Sequence, residues 1–312
     1  MAIILGENQY GKAENHVVRI VRDTLRHEIH DLNVTTALRG PFQPAYLVGD
    51  QSNVLPTDTQ KNTAFAFAKS VGVDSIEAYG LALARHFFNA VEPVQGARVE
   101  IEEFAWARAI IDGTEHDHTW TRTGAETRTA AITVDATGEH VIGGFKDLVI
   151  LKSTGSEFAG FLNDEFTTLK ETHDRVMATS LVAKWRFAST ALDRTTPDST
   201  TADRTDVEWN TAYAKIRQIM IKEFATLQSL ALQQTLWHMG TAVLEAFPEI
   251  VEVRLSAPNK HHFLYDLAPF GIENNGEVFH AADRPYGLIE AQVLRDDAPP
   301  ANDAWRFSAG LA

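Results

Sequence analysis

Five consecutive residues, Pro258-Asn259-Lys260-His261-His262, separate the strand-like runs Val251-Glu252-Val253-Arg254-Leu255 and Phe263-Leu264-Tyr265. An asparagine amide donates and accepts, a histidine titrates near neutrality and a lysine adds charge, as a pocket at the end of a sheet requires. Taken alone, the stretch reads as a β-turn opened by Pro258. A second segment, Pro56-Thr57-Asp58-Thr59-Gln60-Lys61-Asn62-Thr63, reads as a helix N-terminus capped by Thr57 or Asp58. Free backbone N–H groups and a positive dipole end there suit an anionic ligand, and a threonine hydroxyl can pass a proton. In Tyr10-Gly11-Lys12 a lysine follows glycine just before the first expected strand. By type alone Lys12 is a surface lysine; desolvated, it would become a base.

A third segment runs from Leu151-Lys152-Ser153-Thr154-Gly155-Ser156-Glu157-Phe158 through Phe161 to Thr167-Thr168-Leu169 and Arg175. Small hydroxyl residues after an apolar strand predict a tight loop presenting Phe158. Its ring can stack on a flat heterocycle, and Arg175 can offer a planar fork of donors. At the start of the last long helix, the Gln233 amide of Leu232-Gln233-Gln234 matches a carbonyl beside an N–H. His116-Asp117-His118 and His27-x-x-His30 are pairs that hold zinc once a third ligand arrives. His261 and His262 are adjacent, so on a strand they face opposite ways. Gly-x-Gly-x-x-Gly, Walker, Gly-x-Ser-x-Gly and His-Glu-x-x-His motifs are missing, which disfavours Rossmann nicotinamide or flavin chemistry, P-loop hydrolysis and the common esterase design.

The elements that must carry these residues follow one succession twice. Strands are expected at Val17–Val21 and at His27–Ala37, then helices from Thr57 to Lys69 and from Asp74 to about Val91. Asp74 and Glu77 have capping-box spacing. Val99 and Ile101 alternate with glutamates. A second β-rich section begins near Thr127, with Ala130, Ile132 and Val134 on one face, and continues through Val141–Ile142 and Leu148–Leu151. Trp209, Tyr213, Ile216, Met220, Phe224 and Leu227 step by three or four, as do Leu232, Leu236, Met239, Val243 and Phe247 up to Pro248. Strands at Ile250–Leu255, Phe263–Leu267 and Leu288–Leu294 close the half. Strands, two helices, strands, repeated, predict an α+β protein with mainly antiparallel sheets. The halves divide as 1–126 and 127–295, with 296–312 a polar tail in which Trp305 and Phe307 are candidates for docking. Ser189–Asp206, rich in Ser, Thr and Asp, reads as an exposed loop.

At 312 residues the chain can bury a sizeable core, and 44% apolar with 22% charged residues is ordinary for a globular protein. Neither a membrane-length apolar run nor a signal-peptide pattern is present, and the ending Gly310-Leu311-Ala312 is not a peroxisomal address, so a cytoplasmic location is expected. A net charge of −14 without a basic cluster disfavours nucleic acid. With no cysteine, thiolate metal sites and cysteine nucleophiles are excluded; lack of thiols would also suit a producer of peroxide.

Taken in order, Tyr10-Gly11-Lys12, Thr57-Asp58 with Lys61-Asn62-Thr63, Leu151–Phe161, Thr167-Thr168-Leu169 with Arg175, the Gln233 segment and Pro258-Asn259-Lys260-His261 resemble the urate oxidase (uricase) family of the bacterial type, from near the first residues to about Arg295. The resemblance implies a tunnelling fold (T-fold) with two tandem antiparallel-sheet domains, each with a helix pair on one face. It further implies a homotetramer with active sites at subunit interfaces, no metal and no organic cofactor, and oxidation of urate by O2 to 5-hydroxyisourate and hydrogen peroxide. Lys12, Thr57 and His261 match the family's proton relay. Thr57, Asp58, Phe158, Arg175, Leu232, Gln233 and Asn259 match urate-contacting positions, Asn259 beside the oxygen site. Phe166 and His173 stand where the family often has Tyr and Trp, and Ala257 replaces a larger apolar residue. The alternatives are a zinc-dependent pterin-pathway enzyme of the same fold, using His116, His118 and a third histidine, and a non-catalytic purine-binding scaffold.

Overall fold

The computed structural model describes residues 2–189 and 207–306; most of the Ser189–Asp206 loop and Phe307 lie outside them. The chain forms two compact units, one from Met1–Gly144, Arg186–Tyr213 and Pro299–Ala312, the other from Phe145–Trp185 and Ala214–Ala298.

In the first unit β1 (Tyr10–Val21), β2 (Glu28–Arg39), β3 (Gly96–Ile111) and β4 (Thr114–Asp135) pair in chain order, each antiparallel to the last. A short helix α1 (Gln43–Val48) leads to α2 (Thr57–Ser70) and α3 (Ile76–Ala90), which pack on one face of the sheet. Alternation puts Leu32, Val34, Leu38, Val99, Ile101, Ala130, Ile132 and Val134 on that face, against Ala64, Ala68, Ile76, Leu83, Ala84 and Phe87. Burying each large apolar side chain is worth about 1.5–3 kcal/mol, so helices and sheet form a rigid platform.

The second unit holds the rest of β5 (Gly138–Lys152) and β6 (Met177–Phe187), followed by β7 (Ile250–Leu264) and β8 (Phe279–Leu294), again hydrogen-bonded in chain order. Helix α4 (Trp209–Thr226) buries Ile216, Met220 and Phe224, and α5 (Leu232–Ala246) packs on β7 and β8 through Leu236, Met239 and Val243. The α+β, antiparallel architecture and both helix pairs agree with the sequence pattern.

Local details differ from it. Strand β1 starts at Tyr10 instead of Val17, so Lys12 lies within the sheet, because the polar bulge at its start hides the apolar period. Strand β4 begins at Thr114 and runs unbroken through residues 126 and 127; its exposed first half is polar on both faces and gives no alternation. Val141–Ile142 and Leu148–Leu151 belong to one strand, and so do Ile250–Leu255 and Phe263–Leu264, with Tyr265 and Leu267 beyond its end. No turn opens at Pro258, which pairs with Leu288 as an ordinary strand residue. β8 starts at Phe279, well before Leu288.

Neither helix start is capped as expected. Pro56 occupies the N-cap of α2 without a side-chain bond, which makes Thr57 the first helical residue. At α3 the cap is Ser75, whose Oγ accepts from the Ala78 N–H at 3.1 Å. Glu77 is buried and takes a hydrogen bond from Arg128 at 2.7 Å instead of reaching back to the cap.

Candidate functional site

The Tyr10-Gly11-Lys12 motif owes its shape to close backbone packing. A Cβ on Gly11 would sit 1.8 Å from the Thr36 carbonyl oxygen, so only glycine lets β1 lie this near β2. Pairing then breaks between Lys12 and Asn15, and Glu14 takes a positive φ of 55°. Side chains satisfy the freed backbone groups of this bulge. The Glu14 N–H donates to Thr35 Oγ1 at 2.9 Å, and Asn15 Nδ2 donates to the Lys12 carbonyl at 3.3 Å and to that of Val34 at 2.8 Å. The Lys12 N–H donates to Thr36 Oγ1 at 3.4 Å. Tyr10 packs edge-on against Phe42, and its hydroxyl donates to the Leu55 carbonyl at 3.1 Å. Lys12 is thus half-buried on a strand whose course is fixed on both sides.

Thr57 and Asp58 open α2 and are exposed. As first-turn residues their N–H groups have no intrahelical acceptor and lie at the positive end of the helix. Asp58 accepts from Lys61 Nζ and, at 3.1 Å, from Asn62 Nδ2. The hydrogen bond and charge of Lys61 hold its carboxyl below the usual range, with smaller pulls from Asn62 and from the Lys12 ammonium. The Lys12 charge therefore reaches Asp58.

In the second unit the loop between β5 and β6 is pinned as a small ladder. The Phe158 and Thr172 backbones exchange hydrogen bonds at 2.8 and 3.0 Å, the Arg175 N–H donates to Ser156 O at 2.8 Å, and the Glu157 N–H donates to Ser229 O at 2.8 Å. Phe158 stacks on Phe161, centroids 4.9 Å apart and planes 14° from parallel, and the Arg175 guanidinium lies 5.8 Å from the Phe158 centroid. Burial lowers the Arg175 pKa. Its buried Nε has no hydrogen-bond partner among the described residues, which leaves a directional cationic donor beside an aromatic ring. The same charge reaches its neighbours. Burial first, then Arg175, then His262 depress the His261 pKa, and burial followed by Arg175 depresses that of Lys152.

Asn259 and His261 flank the second irregularity. Asn259 pairs with Gly287 and His261 with Ala282, so four residues of β8, Asp283–Tyr286, stand opposite Lys260 alone. His261 stacks on Phe263 with centroids 5.6 Å apart. Leu232 is buried and Gln233 exposed in the first turn of α5. The Leu230 N–H donates to Gln234 Oε1 at 3.0 Å, which leaves Gln233 as the outward-facing amide of the pair.

The nine expected site residues thus fall in two sets. Lys12, Thr57 and Asp58 belong to the first unit and Phe158, Arg175, Leu232, Gln233, Asn259 and His261 to the second. Sequence reading missed Thr36, Gln60, Asn15 and Tyr10 as the residues that hold the Lys12 backbone; glycine beside lysine was the sole local hint. A cleft of about 480 Å³ borders Tyr10 and Gly11, but Glu14, Glu100 and Glu102 line it and would repel an anion. The imidazoles of His116 and His118 touch, centroids 4.4 Å apart, and His27 lies 5.8 Å from His118. Among the described residues no three or more His, Asp or Glu side chains are arranged to hold a metal ion.

The family model described as Uricase matches residues 8–133 and 141–290. The uricase of Arthrobacter globiformis is 45% identical over 309 residues, spanning 99% of this chain and 96% of that protein. The uricase of Cyberlindnera jadinii is 33% identical over 301 residues, 95% of this chain and 99% of its own. The crystal structure of the Arthrobacter globiformis enzyme superposes with a TM-score of 0.87, covering 98% of this chain and 99% of that one. A uricase structure from Bacillus fastidious, at 24% identity and 94% and 96% coverage, superposes at 0.77 and speaks for the fold alone, the α+β tunnelling fold.

Proposed function

The chain belongs to the uricase family, and from that premise we propose that it oxidises urate with O2, without metal or organic cofactor, to 5-hydroxyisourate and H2O2. Membership along nearly the whole chain carries the reading. The pairing of a partner-free Arg175 Nε with the Phe158 ring supports it, since a flat anion needs both a face to stack on and a charged donor at its edge.

Urate is planar, anionic and electron-rich, so loss of a second proton makes it a reductant able to pass electrons directly to O2. Arg175 and Gln233 grip opposite edges of the ring, Phe158 stacks on its face, and Asp58 and Leu232 complete the contacts. Lys12 takes up the proton through Thr57, which also touches the substrate. His261, kept neutral by its surroundings, moves a proton to or from water or peroxide, and Asn259 holds the oxygen species. Oxygen adds at ring carbon C5 as a hydroperoxide; water then replaces it, so both oxygen atoms leave in H2O2.

The same reading makes the chain two tandem T-fold domains followed by a tail, 296–312. It also implies a homotetramer with active sites at subunit interfaces and a cytoplasmic location. Among the described residues no helix is long and apolar enough to cross a membrane. The test is to mix chelator-treated protein with urate in air and follow urate absorbance and oxygen uptake. Equimolar loss of urate and O2 with appearance of peroxide is expected; untouched urate overturns the proposal.

A further inference from the structure

Thr36 and Gln60 face each other in the core of the first unit, exposed by only 1% and 0%. Apolar residues at both places would pack equally well, and the net stability from a hydrogen-bonded pair is small. The bonds are nevertheless specific. Thr36 Oγ1 donates to Gln60 Oε1 at 2.8 Å, and the same oxygen accepts the Lys12 N–H at 3.4 Å. With one hydroxyl hydrogen already given to Gln60, Thr36 acts toward Lys12 as an acceptor. Gln60 Nε2 donates to the Leu55 carbonyl at 3.4 Å, which also accepts the Tyr10 hydroxyl at 3.1 Å. The Gln60 N–H donates to the Pro56 carbonyl at 3.1 Å, closing the turn that starts at Thr57. A continuous chain of hydrogen bonds therefore runs from the Lys12 backbone through two buried side chains to the residues just before Thr57.

We propose that Thr36 and Gln60 are positioning residues that set the Lys12–Thr57 spacing for proton transfer, an inference that rests on reading those two as relay residues. Methyl groups would fill the space without fixing where β1 lies against the first turn of α2, whereas directional bonds fix it. Proton transfer needs donor and acceptor within hydrogen-bond reach.

Thr36→Val keeps the shape and deletes the hydroxyl; Thr36→Ser keeps the hydroxyl. A misplacement of about 1 Å costs on the order of 100-fold, so Thr36→Val is expected to lower kcat for urate by ~10- to 100-fold. Its KM should stay within about twofold, and the pH dependence of kcat should shift. Thr36→Ser restores most of the rate. In a Lys12→Met background Thr36→Val adds no further loss, because the two act through one step. Full kcat in Thr36→Val overturns the inference, and so does an equal fractional loss in both backgrounds, as a merely structural role would give. If Lys12→Met itself turns over at the parental rate, the relay reading has failed before any Thr36 variant is consulted, and the inference goes with it. Should Thr36→Val not fold, Gln60→Met cuts the same link, with the same expected split and the same overturning results.

Discussion

The two sets of candidate residues are held in contrasting ways. Around Lys12, buried polar side chains are used up on their neighbours, with Asn15, Thr36 and Gln60 all bonded inward and Gly11 excluded from any larger substitution. Around Arg175, the ladder from Ser156 to Thr172 fixes the backbone, but the guanidinium keeps a partner-free Nε and the loop tip stays open, with Leu162 95% and Phe166 80% exposed. Proton transfer tolerates little displacement. Binding a planar anion tolerates adjustment, because stacking and charge act over a range of positions. The rigid set therefore suits the step that makes and breaks bonds, and the set with an unsatisfied donor suits recognition.

The sharpest way to break this contrast is Lys12→Met. Loss of a general base costs ~10²–10⁴ in rate, so kcat for urate should fall by that order while the affinity measured with a non-reacting purine-dione stays within a few-fold. A drop in affinity matching the drop in rate would move Lys12 from the chemical set to the binding set. A smaller effect of opposite kind is expected from Arg175→Gln. Losing a hydrogen bond from a charged donor costs about 1.5–3 kcal/mol, which is roughly 10- to 100-fold in affinity for urate and for the same dione, with kcat at saturation much less affected. Equal affinity in calorimetry would refute the clamp.

How much of this was legible in the sequence differs by element. The α4 and α5 stripes and the alternation of Ala130, Ile132 and Val134 were readable because one face is buried and the other is not. β6 was not. Its burial does alternate from Thr179 to Trp185, but the hydroxyls of Thr179 and Ser180 thin the apolar run, and only its last stretch, where Ala183, Trp185 and Phe187 alternate with Lys184 and Arg186, carries a period of two. The polar run at Pro258–His262 was legible as a special place but not as uninterrupted strand, since the irregularity sits in its partner β8. Candidate site residues could be named from spacing and resemblance. Thr36 and Gln60 could not, because a strand threonine and a helix glutamine are ordinary surface residues until strand pairing and helix packing turn them toward each other.

The smallest expected effect concerns His261, the residue of the second unit proposed to move a proton near Arg175. Burial lowers its pKa most, and the Arg175 and His262 charges add to that. The folded protein therefore binds this proton less readily than the unfolded chain, whose value is about 6.5. Stability due to the neutral ring is full above that value and is lost as pH falls through the window between it and the lower folded value. In Arg175→Gln one of the two charges is gone but burial remains. The His261 imidazole, followed by NMR without substrate, should titrate at higher pH than in the parent yet still below a free histidine. An unchanged titration would mean that Arg175 does not reach His261 electrostatically, and the partner-free donor would then serve the proposed binding alone, with no hand in lowering the proton affinity of His261.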